Sequence, residues 1–211
     1  MNKFQPLLRP LAQAIVCAGL LSSLTGCVGL MVGGAVAVAG ASVDRRTLGA
    51  QTEDKSIAVK AELRLPDVAG KYGHVNASSF NRQVLLTGEV PDANTKAAVE
   101  RETRSIDGVI AVANELEIAG PSSYTSRSND ALITGKVKAS LVDMKTISAT
   151  SFKVVTERGI VYLMGRVTQR EGQVGADVAR SVSGVVKVVK VFEYITEDEL
   201  RTISPNTKVE L

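Results

Sequence analysis

The spacing of hydrophobic residues along the chain alternates between that of a helix and that of a strand, and the same succession of spacings occurs twice. Residues 54–65 and 129–142 each carry apolar side chains at positions i, i+4 and i+8, a spacing that predicts one buried face of a helix. These positions are Ile57, Ala61 and Leu65 in the first segment and Ile133, Val137 and Leu141 in the second. We therefore expect a helix at the start of each of two similar units.

A pair of short alternating segments follows each predicted helix. Residues 74–90 and 151–167 alternate apolar and polar side chains around the turn residues Asn81-Arg82 and Arg158-Gly159, which predicts a hairpin in each unit. The residues expected to face a core are Val84, Leu86, Val90, Val161, Leu163 and Val167.

One short turn is written twice, as RSIDGV at 104–109 and RSVSGV at 180–185. Its Gly108 or Gly184 stands where a helix ends and a residue of positive φ is needed. We expect second helices at 92–106 and 169–182, and third strands at 109–118 and 185–195. The predicted fold is α+β, with two tandem α-β-β-α-β domains, each a three-stranded mixed sheet with two helices on one face.

The N-terminus resembles a bacterial lipoprotein signal. Lys3 and Arg9 precede an apolar run at 11–24, and LTGC at 24–27 places Cys27 where such signals are cleaved and acylated. A plain signal peptide or a single membrane span also fits the run, although it is short for a span. Val28, rather than Asp, follows Cys27, so we expect a lipid anchor in the inner leaflet of the outer membrane, facing the periplasm.

Residues 28–43 are rich in Gly and Ala and carry no charge. We interpret them as a tether, with a second membrane helix as the alternative. The predicted organisation is a signal peptide at 1–26, a lipidated N-terminus and tether at 27–52, a first domain at 53–119, a linker at 120–127, a second domain at 128–195 and a mobile tail at 196–211.

Composition argues against several kinds of function. A net charge of +3 is too small to indicate a nucleic-acid partner. One histidine, His74, and two cysteines are too few for a His/Cys metal cluster, and we expect no metal, no cofactor and no catalytic site. His74 is expected to be an ordinary surface residue, and Ser128 to cap the helix that follows it.

The whole arrangement resembles the dual BON-domain lipoproteins of the DolP (YraP) family. The similar segments are VDRRTLGAQTED at 43–54, SNDALITGKVKASL at 128–141 and GIVYLMGRVTQRE at 159–171. The resemblance implies non-enzymatic binding modules, of which the second contacts anionic phospholipid such as phosphatidylglycerol or cardiolipin. It also implies a role in outer-membrane integrity and a link to cell-division sites.

The net charges of the two units also differ, and the difference favours the second unit as the one that contacts lipid. Residues 44–119 carry a net charge of −2, whereas residues 120–195 hold eleven Lys and Arg against six Asp and Glu, a net of +5. Each basic side chain that reaches an anionic membrane surface contributes about 1 kcal/mol. The second unit is therefore the better candidate for contact with phospholipid.

A lipid-contact surface is predicted on the helix of residues 129–142. With Ile133 facing the core, Leu132 falls on the opposite side, where an apolar tip can enter the headgroup boundary beside an ammonium group. The resemblance implies weaker insertion here, because many members of the family carry Trp at this place. The predicted phospholipid-binding residues are Arg127, Leu132, Ile133, Lys136, Lys138 and Ala139.

The second unit is also more apolar on the sheet face away from its helices. The residues concerned are Ile160, Tyr162, Met164, Val189 and Val191. Packing of the first domain would cover this face, and so would a protein partner from the cell envelope. In the second case the chain would be an interaction adaptor, with lipid contact incidental.

Overall fold

The computed structural model describes residues 44–203. The first domain runs α1 (Leu48–Ala69), β1 (His74–Phe80), β2 (Gln83–Val90), α2 (Ala93–Arg104), β3 (Ala111–Asn114) and β4 (Glu117–Ile118). The second runs α3 (Tyr124–Asp143), a 3₁₀ turn (Ala149–Ser151), β5 (Phe152–Glu157), β6 (Ile160–Val167), α4 (Gln169–Ser181) and β7 (Lys187–Tyr194). A short helix, α5 (Glu197–Ile203), follows.

Each domain has a mixed sheet with the same order. β1 pairs antiparallel with β2, and β3 and β4 both pair parallel with β2. In the second domain β5 pairs antiparallel with β6, and β7 pairs parallel with β6. The predicted α+β fold of two α-β-β-α-β units is therefore confirmed.

The third strand of the first domain is interrupted, unlike its counterpart β7. Asn114 accepts a hydrogen bond from the amide of Leu116 at 3.3 Å and donates to the carbonyl of Lys96 on α2 at 3.3 Å. Because Leu116 turns into the core, the strand predicted over 109–118 is observed as two pieces.

The repeated turn behaves as its glycine predicts. Gly108 has φ +95° and Gly184 has φ +98°, and each lies between the second helix and the third strand of its domain. Both glycines adopt a backbone conformation that side chains disfavour. The turn is written twice because both domains need the same helix end.

Each domain has its own core between its helices and one face of its sheet. The strand residues predicted to face inward are all buried there, in two separate clusters. The first cluster joins Ile57, Ala61 and Leu65 of α1 to Val99 of α2, and the second joins Ile133, Val137 and Leu141 of α3 to Ala176 and Ala179 of α4.

Both long helices begin earlier than their apolar spacing predicted. Thr47 caps α1, and Ser123 caps α3 through a hydrogen bond from the amide of Ser126 at 3.2 Å. The prediction that Ser128 is the cap is wrong, because the helix has already completed a turn before it. The last residues of the predicted tether thus belong to an ordered helix.

Asp54 and Asp130, at equivalent places on α1 and α3, bind the hairpin turns. Asp54 accepts the amides of Asn81 and Arg82, each at 2.7 Å, and Asp130 accepts those of Arg158 and Gly159, each at 2.8 Å. Both carboxylates are buried. They replace the water that those turn amides would otherwise bind.

The beginning of the predicted mobile tail is helical. In α5 Leu200 is 1% exposed, and Glu199 pairs with Arg166 of β6. The prediction of a mobile extension is wrong for residues 197–203, because a buried leucine and a cross-element ion pair hold them in place.

No helix between residues 44 and 203 has the length and hydropathy needed to cross a membrane. The predicted signal peptide, Cys27 and the Gly/Ala tether of 28–43 lie outside the described residues.

Candidate functional site

The outward face of α3 carries most of the residues predicted to meet lipid. Leu132 is 65% exposed, and Lys136, Lys138 and Ala139 are exposed with it. Leu132, Gly135, Ala139 and Val142 follow one another at i, i+3, i+7 and i+10, so they form a stripe of apolar and small residues along one side of the helix. We call these four residues, with the flanking Lys136 and Lys138, the α3 stripe.

Ile133 does not belong to this surface. Its side chain is 1% exposed and lies in the core of the second domain. A helix residue that faces the sheet cannot also reach a headgroup, so the prediction of Ile133 as a lipid-binding residue is wrong.

Arg127 lies at the edge of the surface and is only partly exposed. Its Nε donates to Ser122 Oγ at 3.2 Å, and its guanidinium carbon lies 5.7 Å from the centre of the Tyr124 ring. Arg127 is thus held toward the domain junction rather than free on the α3 stripe.

Sequence reasoning missed two exposed apolar residues on this helix. Tyr124 is 87% exposed and Val142 is 68% exposed. Val142 continues the i, i+3, i+7 spacing that starts at Leu132, and that spacing could have found it. Tyr124 was missed because the helix was expected to begin after it.

The lysines of the α3 stripe differ from most arginines of the same domain. Arg158, Arg166, Arg170 and Arg180 each pair with at least one carboxylate at 3.7 Å or less. Lys136 and Lys138 form no ion pair with any residue between 44 and 203. Their charge therefore projects into solvent.

The equivalent helix α1 also exposes apolar residues but carries a different charge pattern. Val59 and Leu63 are exposed, and Leu63 stands at the place of Ala139. Ser56 replaces Leu132 and Glu62 replaces Lys138. Apolar exposure is thus common to both helices, and Lys60 of α1 stands at the place of Lys136. The exposed leucine at position 132 and the second lysine at position 138 are the features that α1 lacks.

The apolar sheet face of the second domain is covered by the first domain. Tyr162, Met164 and Val191 are buried in one cluster with Phe80 and Leu85 of the first domain. Ile160 and Val189 are partly buried at its edge. Of the two explanations open from the sequence, packing between the domains is the one observed here.

This burial perturbs the phenol of Tyr162. Loss of solvent contact, with the negative charges of Glu115 and Glu117 adding to it, raises the pKa of Tyr162 to about 12. Lys153 also lies at the junction, where it donates to the carbonyl of Ser79 at 3.1 Å. Burial lowers the pKa of Lys153, and the nearby charge of Arg46 lowers it further.

The segment before α1 binds the second domain. Arg45 donates from Nη1 and Nη2 to the two carboxylate oxygens of Glu171, each at 2.7 Å, and from Nη1 to the carbonyl of Arg166 at 3.0 Å. Arg46 pairs instead with Asp44 and Asp54 and lies over the Phe80 ring. The segment predicted as the end of a tether therefore bridges both domains.

A polar cluster lies at another point of the domain junction. His74 and Glu89 face each other across β1 and β2, and Glu157 ends β5 of the second domain. One donor atom from each of the three lies within 4.8 Å of the others. His74 is therefore not the ordinary surface residue that we expected.

The environment of this cluster disfavours charge on two of its members. Burial lowers the pKa of His74, as does the charge of Arg127. Burial raises the pKa of Glu157, and the charges of Glu89 and Asp130 raise it further against a hydrogen bond from Asn76.

Comparison with known proteins agrees with these observations. The BON domain family model matches residues 54–120 and 129–196. The outer membrane lipoprotein DolP of Haemophilus influenzae is 36% identical over 190 residues, which cover 89% of this chain and 98% of that protein. A 21 kDa hemolysin of Actinobacillus pleuropneumoniae is 30% identical over 155 residues, covering 72% of this chain and 80% of that protein.

A solved structure of CdsD, a structural protein of the type III secretion system of Chlamydia trachomatis, has 10% sequence identity and a TM-score of 0.29. The matched region covers 70% of this chain and 98% of the CdsD chain. The chain carries two BON domains and, with 36% identity to DolP of H. influenzae over most of its length, belongs to the DolP family.

Proposed function

We propose that this protein is a non-enzymatic outer-membrane lipoprotein that binds anionic phospholipid through the α3 stripe of its second BON domain. An acylated Cys27 would hold it to the inner leaflet, facing the periplasm, and its role would be to support membrane integrity, including at sites of cell division. The H. influenzae relative, an outer membrane lipoprotein by name, supports the location.

The observation that carries the proposal is the exposure of Leu132 beside Lys136, whose ammonium group has no ion-pair partner in the described part of the chain. A lone exposed leucine is common on protein surfaces. An exposed apolar stripe with flanking lysines is a more specific arrangement. The lysines can contact the phosphates of the headgroups, and the apolar side chains can enter the acyl-chain boundary below them.

The expected strength of the contact is modest. Two lysines that reach anionic headgroups contribute about 2 kcal/mol, and burial of the leucine side chain contributes about another 2 kcal/mol. The sum corresponds to weak, reversible docking. Such docking suits a protein already held at the membrane by acyl chains, because the anchor keeps the local lipid concentration high.

Flotation of fragment 42–211 with vesicles tests the proposal. The fragment lacks the anchor and contains both cores. It should float with vesicles that contain phosphatidylglycerol or cardiolipin and stay unbound with phosphatidylcholine alone, and added salt should weaken the binding because it screens exposed charges.

Leu132→Glu and Lys136→Glu should each reduce the bound fraction strongly. The matched control is Leu63→Glu, which introduces the same charge at a residue 73% exposed on α1 and should leave binding nearly intact. Equal losses from Leu132→Glu and Leu63→Glu, or equal binding to neutral vesicles, would contradict contact through α3.

The alternative, an adaptor that docks an envelope protein, relied on the apolar sheet face of the second domain. Tyr162 and Met164 are covered by Phe80 and Leu85, so that face offers no free surface in this arrangement. Lipid contact through the α3 stripe is therefore the function that the geometry favours.

A further inference from the structure

The polar cluster at the domain junction brings together side chains that can bind a metal ion. His74, Glu89 and Glu157 come from three different strands, β1 and β2 of the first domain and β5 of the second. His74 Nδ1 lies 3.6 Å from Glu89 Oε2. A tetrahedral ion with bonds of about 2.1 Å separates its ligand atoms by roughly 3.4 Å, so this spacing is close to that of two ligands of one metal.

A second observation points to a ligand. The Glu89 side chain is 0% exposed, yet its Oε1 accepts no hydrogen bond from any residue between 44 and 203. His74 Nδ1 is likewise buried without a hydrogen bond within that range. Arg158 Nη1 lies 3.5 Å from Glu89 Oε1 and forms an ion pair with it but no hydrogen bond. A buried carboxylate oxygen without a hydrogen bond is costly, and a bound cation is one of the ways in which proteins satisfy it.

Neighbouring groups also contact the carboxylates of the cluster. The amide of Ser122 donates to Glu89 Oε2 at 3.1 Å, and Asn76 Nδ2 donates to Glu157 Oε2 at 3.0 Å. Hydrogen bonds of this kind orient metal-binding side chains and are typical of built sites.

From this geometry we infer that His74, Glu89 and Glu157 form a divalent-cation site, suited to Zn²⁺, that joins the two BON domains. One imidazole nitrogen and two carboxylate oxygens make a donor set that zinc accepts, with a water as fourth ligand, whereas Ca²⁺ prefers six or more oxygens. The charge of the ion would offset two carboxylates that otherwise face each other across the junction.

An ion pair between protonated His74 and Glu89 is the competing interpretation. It gives Glu157 no part, because Glu89 pairs with both His74 and Arg158, at 3.6 Å and 3.5 Å, whereas Glu157 receives a hydrogen bond from Asn76. The neutral imidazole is the form that binds metals.

Calorimetric titration of the full chain, purified in detergent and freed of metal, with Zn²⁺ tests the inference. We expect one ion per chain, and a loss of affinity of at least about tenfold in His74→Ala and in Glu157→Gln. Glu62→Gln, which changes an exposed carboxylate of α1 outside the cluster, should leave the affinity unchanged. Absence of binding up to about 1 mM Zn²⁺, or binding that survives His74→Ala, would overturn the site.

X-ray absorption of the zinc-loaded full chain supplies a readout that does not depend on the stability of a variant. The proposal predicts nitrogen and oxygen neighbours at about 2.0–2.2 Å with the scattering of a single imidazole. Sulfur neighbours at about 2.3 Å would assign the ion to the cysteines and contradict the junction site.

Discussion

Arg45 and Glu171 form a two-pronged ion pair across 126 residues of sequence, with both side chains buried. Glu171 also completes the capping box of α4, because it accepts from the amide of Thr168 at 3.1 Å and donates its own amide to Thr168 Oγ1 at 3.3 Å. The segment that leaves the predicted membrane anchor is thereby fixed to the second domain, the domain proposed to meet the membrane.

Removal of Arg45 should destabilise the fold strongly. In Arg45→Ala the Glu171 carboxylate stays buried without its partner, and loss of one member of a buried pair costs about 3–5 kcal/mol. Chemical denaturation of fragment 42–211 measures the change in the free energy of unfolding. Arg180→Ala, which breaks the exposed pair with Asp177, is the control and should cost less than about 1 kcal/mol. Equal effects of the two substitutions would show that Arg45 is dispensable.

The same pair predicts a pH dependence. Burial alone would raise the pKa of Glu171, but hydrogen bonds from Arg45 and Thr168 and the charge of Arg45 together lower it below its ordinary value of 4.5. A carboxyl with a lowered pKa in the folded state contributes stability above its ordinary pKa and loses it as pH falls. The stability difference between the natural chain and Glu171→Gln should therefore be largest near neutrality and shrink below about pH 4.5.

Denaturation of both chains over a range of pH checks this expectation. A difference that stays constant into strong acid would mean that Glu171 acts through its shape and hydrogen bonds rather than through its charge.

Burial at the domain junction should be visible in the titration of tyrosine. With a pKa of about 12, Tyr162 should stay protonated near pH 10, where ordinary tyrosine phenols ionise. The difference in near-ultraviolet absorbance between the natural chain and Tyr162→Phe isolates its phenol. Ionisation of Tyr162 near pH 10 would show that the two sheets do not pack as described.

Asp54 and Asp130 should each be needed for their hairpins. Asp130→Ala leaves the amides of Arg158 and Gly159 without their acceptor, at a cost of about 1–3 kcal/mol. Asp54→Ala should cost more, because Asp54 also accepts from Ser79 at 2.6 Å and pairs with Arg46 at 2.8 Å. Denaturation of the two variants gives this order, and a larger loss from Asp130→Ala would reverse it.

The architecture could be predicted because its determinants are local or repeated. The i, i+4, i+8 spacing around Ile57 and Ile133 predicted both first helices, and the two-residue turns at Asn81-Arg82 and Arg158-Gly159 predicted both hairpins. Asn81, Arg82 and Arg158 adopt positive φ although they are not glycine, and Gly159 adopts it as well. Ile57 and Ile133 lie on the buried faces of their helices.

The junction could be predicted only in part. The excess of apolar residues around Tyr162 and Met164 indicated a covered face, but no local pattern marks a partner 126 residues away, as for Arg45 and Glu171. The role of Asp130 could not be predicted, because the turn amides that donate to its carboxylate lie 28 and 29 residues further along the chain. The cluster of His74 with Glu89 and Glu157 was missed because only His and Cys were counted as possible ligands.

The most direct test of the central claim is a residue-by-residue map of fragment 42–211 by NMR as anionic lipid micelles are added. The account predicts that the largest shifts fall on the α3 stripe, at Leu132, Gly135, Lys136, Ala139 and Val142, with small changes at Val59 and Leu63 of α1. Shifts that spread evenly over both domains, or that centre on α1, would contradict phospholipid recognition by the second BON domain.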